Sequence, residues 1–269
     1  MEFHLLNYII TMCSIISFYN GKGGVGKTTS AVNIGSCLAL KGNRVLLVDL
    51  DGQANATMSL RIPVNPDTPT VYDSLIERSP MRVIRSKSHV DVVPSDTRMY
   101  QLEQMMASVP DRGWVLSGLV EQARGNYDYI ILDCPPAFGL ASTNALIACD
   151  YVVLVSNMSG LAKMTTDSIK DIIETSFSLS GRRKIIGLLW TMNRYTTENK
   201  IVAESVDIAY PPLAFRQVIR MSTYISEAAS SGKDIFSYMP DCHAAHDYFS
   251  VTEEIATRIQ TITLKNYGK

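Results

Sequence analysis

With 269 residues, 46% of them apolar and 19% charged, the chain has the balance of one globular α/β domain and excludes an intrinsically disordered class. Its formal net charge of −1 and sequence pI near 6.4 exclude the overall basic footprint of a dedicated nucleic-acid binder, so any DNA contact must come from a local patch. The five cysteines, Cys13, Cys37, Cys134, Cys149 and Cys242, are odd in number and lack Cys-x-x-Cys spacing, which argues against a disulfide framework or zinc site and for reduced thiols in the cytoplasm.

Residues 1–18 are apolar enough to imitate a signal peptide but lack a basic start and a small-residue cleavage site. They read as a strand, with 1–11 either an extension or the product of an upstream start site. No run of 18 or more apolar residues follows, so no transmembrane segment is expected. Residues 14–19 form a buried strand that runs into a glycine-rich loop, and Ala31, Ile34 and Leu38 repeat at helical spacing over 28–40 before Gly42. A second strand covers 44–49, followed by polar residues 51–55, a proline-punctuated loop over 63–69 and a helix from near Val71.

Residues 90–93 make a short strand, and 96–124 read as mostly helical with a break at 110–113. The continuous apolar runs 127–133 and 151–155 suit parallel strands covered on both faces, with a helix over 142–148 between them. Helix 161–177, strand 184–190, helix 197–206 and a closing helix 244–261 complete the alternation. Strands separated by helices predict a doubly wound, mostly parallel sheet with helices on both faces, in one domain over 1–269.

Gly21-Lys22-Gly23-Gly24-Val25-Gly26-Lys27-Thr28-Thr29 contains the complete P-loop pattern between a strand and the first turn of a helix. Glycines let successive backbone N–H groups turn toward phosphate, and the helix N-terminus adds partial positive charge. The pattern assigns Lys27 to the β- and γ-phosphates and Thr28 to magnesium, which makes Mg-ATP the ligand. Asp133 closes the apolar run Ile130-Ile131-Leu132, as a Walker B carboxylate does at the end of a strand, and is placed on magnesium.

A generic P-loop leaves the position of Lys22 free. The run from Lys22 to Thr29 is similar to the deviant Walker A box of the ParA/MinD family, and the resemblance covers nearly the whole chain. Val48-Asp49-Leu50-Asp51-Gly52-Gln53-Ala54-Asn55 resembles the family's Asp-x-Asp-Pro-Gln-Gly-Asn box, with Gly52 and Ala54 in place of Pro and Gly. Asp133-Cys134-Pro135-Pro136 matches its Walker B segment. Ser226-Glu227-Ala228 with Gly232-Lys233 resembles the late segment of the partition ATPases, with Ala229, Ser230 and Ser231 replacing Pro-Ser-His.

The resemblance implies a P-loop ATPase of the deviant Walker A type, near the ParA/Soj partition proteins. In such a protein Lys22 reaches the partner's nucleotide in an ATP-bound homodimer. Asp51 orients the attacking water, Asp49 supports the metal site, and Asn193 reads adenine, although a helix-capping Asn accounts for that position as well. It further implies non-specific DNA binding by the ATP dimer, a ParB-like protein that stimulates slow hydrolysis, and a cytoplasmic, nucleoid-associated protein. No room is expected before the P-loop for a helix-turn-helix domain. The DNA candidates are Arg182, Arg183, Lys184, Arg216, Arg220 and Lys233, and a solvated surface accounts for the same residues. Two alternatives use the same switch: a MinD-like positioning ATPase at a membrane, disfavoured by a tail with few basic residues, or a scaffold for a conjugation, secretion or other protein cargo.

Overall fold

The computed structural model describes residues 13–157, 184–194, 196, 197, 199–201, 204, 208 and 213–267. In chain order their elements are β1 (Ser14–Tyr19), α1 (Lys27–Leu40), β2 (Val45–Asp49), α2 (Asn55–Ser59), α3 (Val71–Glu77), β3 (Ile84–Arg85), β4 (Asp91–Val93), α4 (Leu102–Met105), α5 (Val115–Ala123), β5 (Tyr129–Asp133), α6 (Leu140–Ala148), β6 (Tyr151–Asn157), β7 (Lys184–Thr191), α7 (Thr223–Ser230), α8 (Ile235–Tyr238) and α9 (His243–Tyr267). The expected helix 161–177 and residues 1–11 lie outside the described residues. Among the described residues, no helix is long and apolar enough to cross a membrane.

The strands form one seven-stranded sheet in the order β3-β4-β2-β5-β1-β6-β7. All pairings are parallel except β3 with β4. Successive strand side chains alternate between faces, so a strand buried on both sides feeds two cores. In β1, Ile15 and Tyr19 join one hydrophobic cluster and Ile16 and Phe18 the other; in β2, Leu46 and Val48 oppose Val45 and Leu47 in the same way. Helices α3 to α6 cover the first face, through residues such as Leu75, Leu102, Leu116 and Leu146. The second face is closed by α1, α2, α7, α8 and α9, with Ala31, Ile34 and Leu38 forming the expected stripe against Tyr248, Val251 and Ile255.

β1 lies between β5 and β6, at the point where the chain order reverses. A loop leaving its carboxyl end therefore opens into the crevice where α/β sheets hold ligands.

The structure departs from expectation where elements are short. Antiparallel β3 has two residues, too few for any periodic signal. The stretch 96–124 is more broken than predicted: a 3₁₀ turn over Thr97–Gln101, the four-residue α4, and α5 only after Pro110 and Asp111. Pro110 donates no backbone N–H and Asp111 takes a left-handed φ of 54°, which together end the helical run. Helices α2, α7 and α8 were not predicted; α7 buries only Ala228, so its apolar stripe is faint. The closing helix runs to Tyr267, beyond the expected end at 261, and the described residues among 197–206 are helical as expected, as is residue 208 beyond them.

Candidate active site

The P-loop hangs between strand ends that hold it on both sides. Gly24 and Gly26 have φ of 71° and 89°, which glycine adopts without a Cβ penalty. Gly26 caps α1 with no side chain, so the N–H groups of its first turn face outward as an anion site. Val25 is buried, and its carbonyl accepts a 2.7 Å hydrogen bond from the Thr191 hydroxyl at the end of β7. Asn20 donates to the Val155 carbonyl of β6 at 2.7 Å and accepts the Lys22 N–H at 2.8 Å. Both tethers escaped the sequence reading: Asn20 shows only as a polar residue ending an apolar strand, and Thr191 is distant in sequence.

Lys27 is 6% exposed and its ammonium donates to the Lys22 carbonyl at 3.0 Å, across the mouth of the loop. Burial lowers its pKa, against the opposing pull of Asp133, Cys134 and Asp51. Gly21, Lys22, Gly23 and Gly24 are exposed, while Thr28 and Thr29 are half-buried. The Lys22 backbone is thus fixed twice over while its side chain faces solvent.

Asp49 and Asp133 sit opposite one another in the β2–β5 register, both fully buried. One oxygen of Asp49 accepts the Asp51 N–H at 3.2 Å, and the other accepts the Thr57 N–H at 2.9 Å and the Thr57 hydroxyl at 2.7 Å. Burial raises its pKa to about 6 in spite of those bonds. Among the described residues, neither oxygen of Asp133 has a hydrogen-bond partner. Burial first, and then the charge of Asp49, push its pKa well above the usual carboxylate range, while the nearby Thr28 hydroxyl and Lys27 oppose them. Asp51, 6% exposed, accepts the Gln53 N–H at 2.9 Å and closes a turn in which Ala54 takes a left-handed φ of 53°.

Two carboxylates, Asp133 and Asp51, thus act on one buried ammonium, with Asp49 opposite Asp133, and among the described residues two buried carboxylate oxygens lack partners. Such oxygens cost free energy when left unsatisfied. A hard divalent cation beside Thr28 satisfies both conditions, so the donor set fits magnesium. Beside this group a cavity of about 190 Å³ is lined by Asp51, Gly52, Tyr100, Pro136 and Leu140, among others.

The remaining candidates fall into place unevenly. Asn193, 6% exposed, lies just past Thr191; its N–H donates to Ile219 at 3.0 Å and its side-chain oxygen accepts from Asn199 at 3.0 Å. Cys134 is buried against the Ser17 hydroxyl at 3.1 Å, and burial pushes its thiol up to about 12, as suits a packed residue. Arg220 is committed to the buried carboxylate of Asp247 at 2.5 Å, whereas Arg216 and Lys233 are exposed. Arg182, Arg183 and the side chain of Lys184 lie outside the described residues.

The family described as the AAA domain matches residues 13–181. The chain is 35% identical over 255 residues to the sporulation initiation inhibitor protein Soj of Bacillus subtilis, covering 91% of this chain and 99% of that protein. It is 32% identical over 251 residues to the chromosome partitioning protein ParA of Caulobacter vibrioides, covering 91% and 94%. The cell division ATPase MinD of Pyrococcus furiosus superposes with a TM-score of 0.75 at 25% identity, over 91% of this chain and 98% of that one. With its P-loop, facing aspartates and sheet order in place, the chain belongs to the ParA/MinD family of ATPases, with Soj and ParA among its relatives.

Proposed function

We propose that this ATPase is a DNA-positioning switch: it binds Mg-ATP, dimerises, holds DNA non-specifically in the dimer, and releases it when a ParB-like partner stimulates hydrolysis. The observation that carries the reading is the exposed Lys22 side chain, on a backbone locked by Asn20 and by the buried Lys27.

Gly21 to Gly26 and the first turn of α1 cradle the phosphates with backbone N–H groups, and Lys27 turns from the Lys22 carbonyl to the β- and γ-phosphates. Thr28 and Asp133 hold magnesium, which when bound neutralises phosphate charge. Asp49, with both oxygens occupied, supports that pair through Thr57 and the Asp51 N–H. Asp51 orients the water that attacks the γ-phosphate. Lys22 crosses to the second protomer's nucleotide, so the dimer interface is complete only with ATP. Asn193 contacts the adenine edge, exchanging its bond to Asn199 for one to the base.

DNA binding rests on Arg216 and Lys233, which are exposed, together with residues outside those described. A dimer doubles these contacts, and phosphate contacts add in number, so weak monomer affinity becomes useful on dimerisation. The protein acts in the cytoplasm, associated with the nucleoid.

The test is binding of Asp51→Ala to a non-specific DNA duplex with magnesium and either ATP or ADP at two salt concentrations. Binding with ATP alone that weakens at higher salt is expected. An ATP-dependent dimer that binds no DNA overturns the DNA reading and leaves the switch for a membrane or protein cargo.

A further inference from the structure

We infer that Tyr100 is a positioning residue for ATP hydrolysis: its ring roofs the turn that carries Asp51, and position 52 is glycine to admit that ring. The inference rests on the reading above in which Asp51 orients the attacking water.

Gly52 is not explained by backbone conformation. Gly24, Gly26, Gly42 and Gly232 take positive φ, but Gly52 does not, so an L-residue is conformationally free to occupy its place. What crowds a side chain there is contact. A Cβ added to Gly52 lies 3.0 Å from Cε1 and Cζ of Tyr100 and 3.1 Å from Cε2, tighter than most carbon contacts, so the ring has to give by a few tenths of an ångström to admit it. The outer half of the tyrosine ring therefore lies directly on the glycine, and Gly52 is buried although it belongs to a polar turn.

The ring can act as a fixed roof because its base is fixed. Tyr100 itself is 64% exposed, but the preceding Met99 and the nearby Leu102 are buried in the core. Asp96 caps the 3₁₀ turn by accepting the Arg98 N–H. The Arg98 guanidinium then bridges Asp73 and Asp96, at 2.7 Å to each, and lies over the Tyr72 ring at 5.0 Å. This clamp joins the start of α3 to the turn bearing Tyr100.

The turn beneath needs a restraint. Asp51 spends one oxygen on the Gln53 N–H, and Ala54 is held left-handed, a conformation that persists only when its surroundings impose it. Tyr100 supplies one such surrounding on the solvent side. Across the adjoining cavity stand Pro136 and Ala137, just past Asp133, so the ring packs where the two carboxylate-bearing loops approach each other. Removing it leaves nucleotide binding to the P-loop untouched and frees Asp51 to move by a fraction of an ångström. A misplacement of about 1 Å costs on the order of a hundredfold in rate, so a partial release costs less.

The experiment compares unstimulated ATP turnover in Tyr100→Ala, Tyr100→Phe, Gly52→Ala, the double variant Gly52→Ala/Tyr100→Ala and Asp51→Ala. Tyr100→Ala is expected to lose about tenfold in kcat, with the KM for ATP, the affinity for ADP and ATP-dependent self-association retained. Tyr100→Phe keeps the wild-type rate, because ring carbons make the contact. Gly52→Ala loses rate by displacing the ring, and its loss does not add to that of Tyr100→Ala in the double variant. Wild-type turnover in Tyr100→Ala alongside an inactive Asp51→Ala overturns the role of Tyr100 and leaves the water assignment standing. Normal turnover in Asp51→Ala removes the water assignment itself. Loss of self-association in Tyr100→Ala, with unchanged turnover per dimer, also overturns the inference and places the ring at an interface.

Discussion

The P-loop and the turn at Asp51 flank the same crevice but are held in opposite ways. The P-loop is tied to the sheet from outside, by Asn20 to β6, Thr191 to Val25, and Lys27 across its own mouth. The turn is tied mostly to itself, through the Asp51 carboxylate, the left-handed Ala54 and the ring of Tyr100 lying on Gly52. A loop anchored in a seven-stranded sheet is suited to a constant task, gripping phosphate. A turn held by its own hydrogen bonds and one exposed ring is suited to a variable one, which under the proposed role of Asp51 is the rate of hydrolysis.

If that division holds, changes in the P-loop alter affinity and changes in the turn alter rate. The largest effect is expected for Lys27→Ala, which removes a charge-assisted contact worth about 1.5–3 kcal/mol and weakens ATP binding by roughly 10- to 100-fold or more, measurable by calorimetry. Asp51→Ala is expected to lower kcat by about a hundredfold while ATP affinity stays within a few-fold, so that the ATP dimer accumulates. Equal losses in affinity and rate would break the comparison. Lys22→Ala keeps ATP affinity but loses ATP-dependent dimerisation in sedimentation; a dimer of normal strength removes Lys22 from the interface.

A smaller effect tests the outside anchoring. Thr191→Val leaves the Val25 carbonyl without its hydroxyl donor and is expected to lower unfolding free energy by about 1 kcal/mol and to weaken ATP binding without changing kcat. The smallest concerns the base of Tyr100. Burial pushes Asp73 and Asp96 up, but hydrogen bonds from Arg98 outweigh it and hold both carboxyls below their usual range. A carboxyl whose folded value is depressed stabilises the fold above its unfolded value, about 3.9, and loses that contribution as pH falls through the folded value. The wild-type melting temperature should therefore drop more steeply below about pH 4 than that of Arg98→Ala. Parallel curves would remove the clamp.

These contrasts also explain what was legible beforehand. The P-loop is contiguous, and its neighbours β1 and α1 carry strong patterns, so its residues and environment could be read together. The same holds for Asp133, at the end of a continuous apolar run. Asp49 was visible only as a carboxylate near the metal, because the Thr57 bonds that occupy it come from a helix too short to predict. The glycine at position 52 was visible only as a departure from the family's box, and the structure sets the ring of Tyr100 against it. Nothing in spacing or periodicity joins residues 52 and 100; the broken helical stretch 96–124 brings them together.

The facing pair of Asp49 and Asp133 carries a consequence for how ligand and folding are linked. Two carboxylates in one buried register, one of them without a hydrogen-bond partner among the described residues, are stabilised by whatever cation satisfies them. By mass action, every occupied site draws the population away from unfolding, by about 2.7 kcal/mol at a hundredfold excess of ligand over its dissociation constant. Mg-ATP is therefore expected to raise the melting temperature of the chain, and a melting curve that does not move with ligand would take the facing pair out of the binding site.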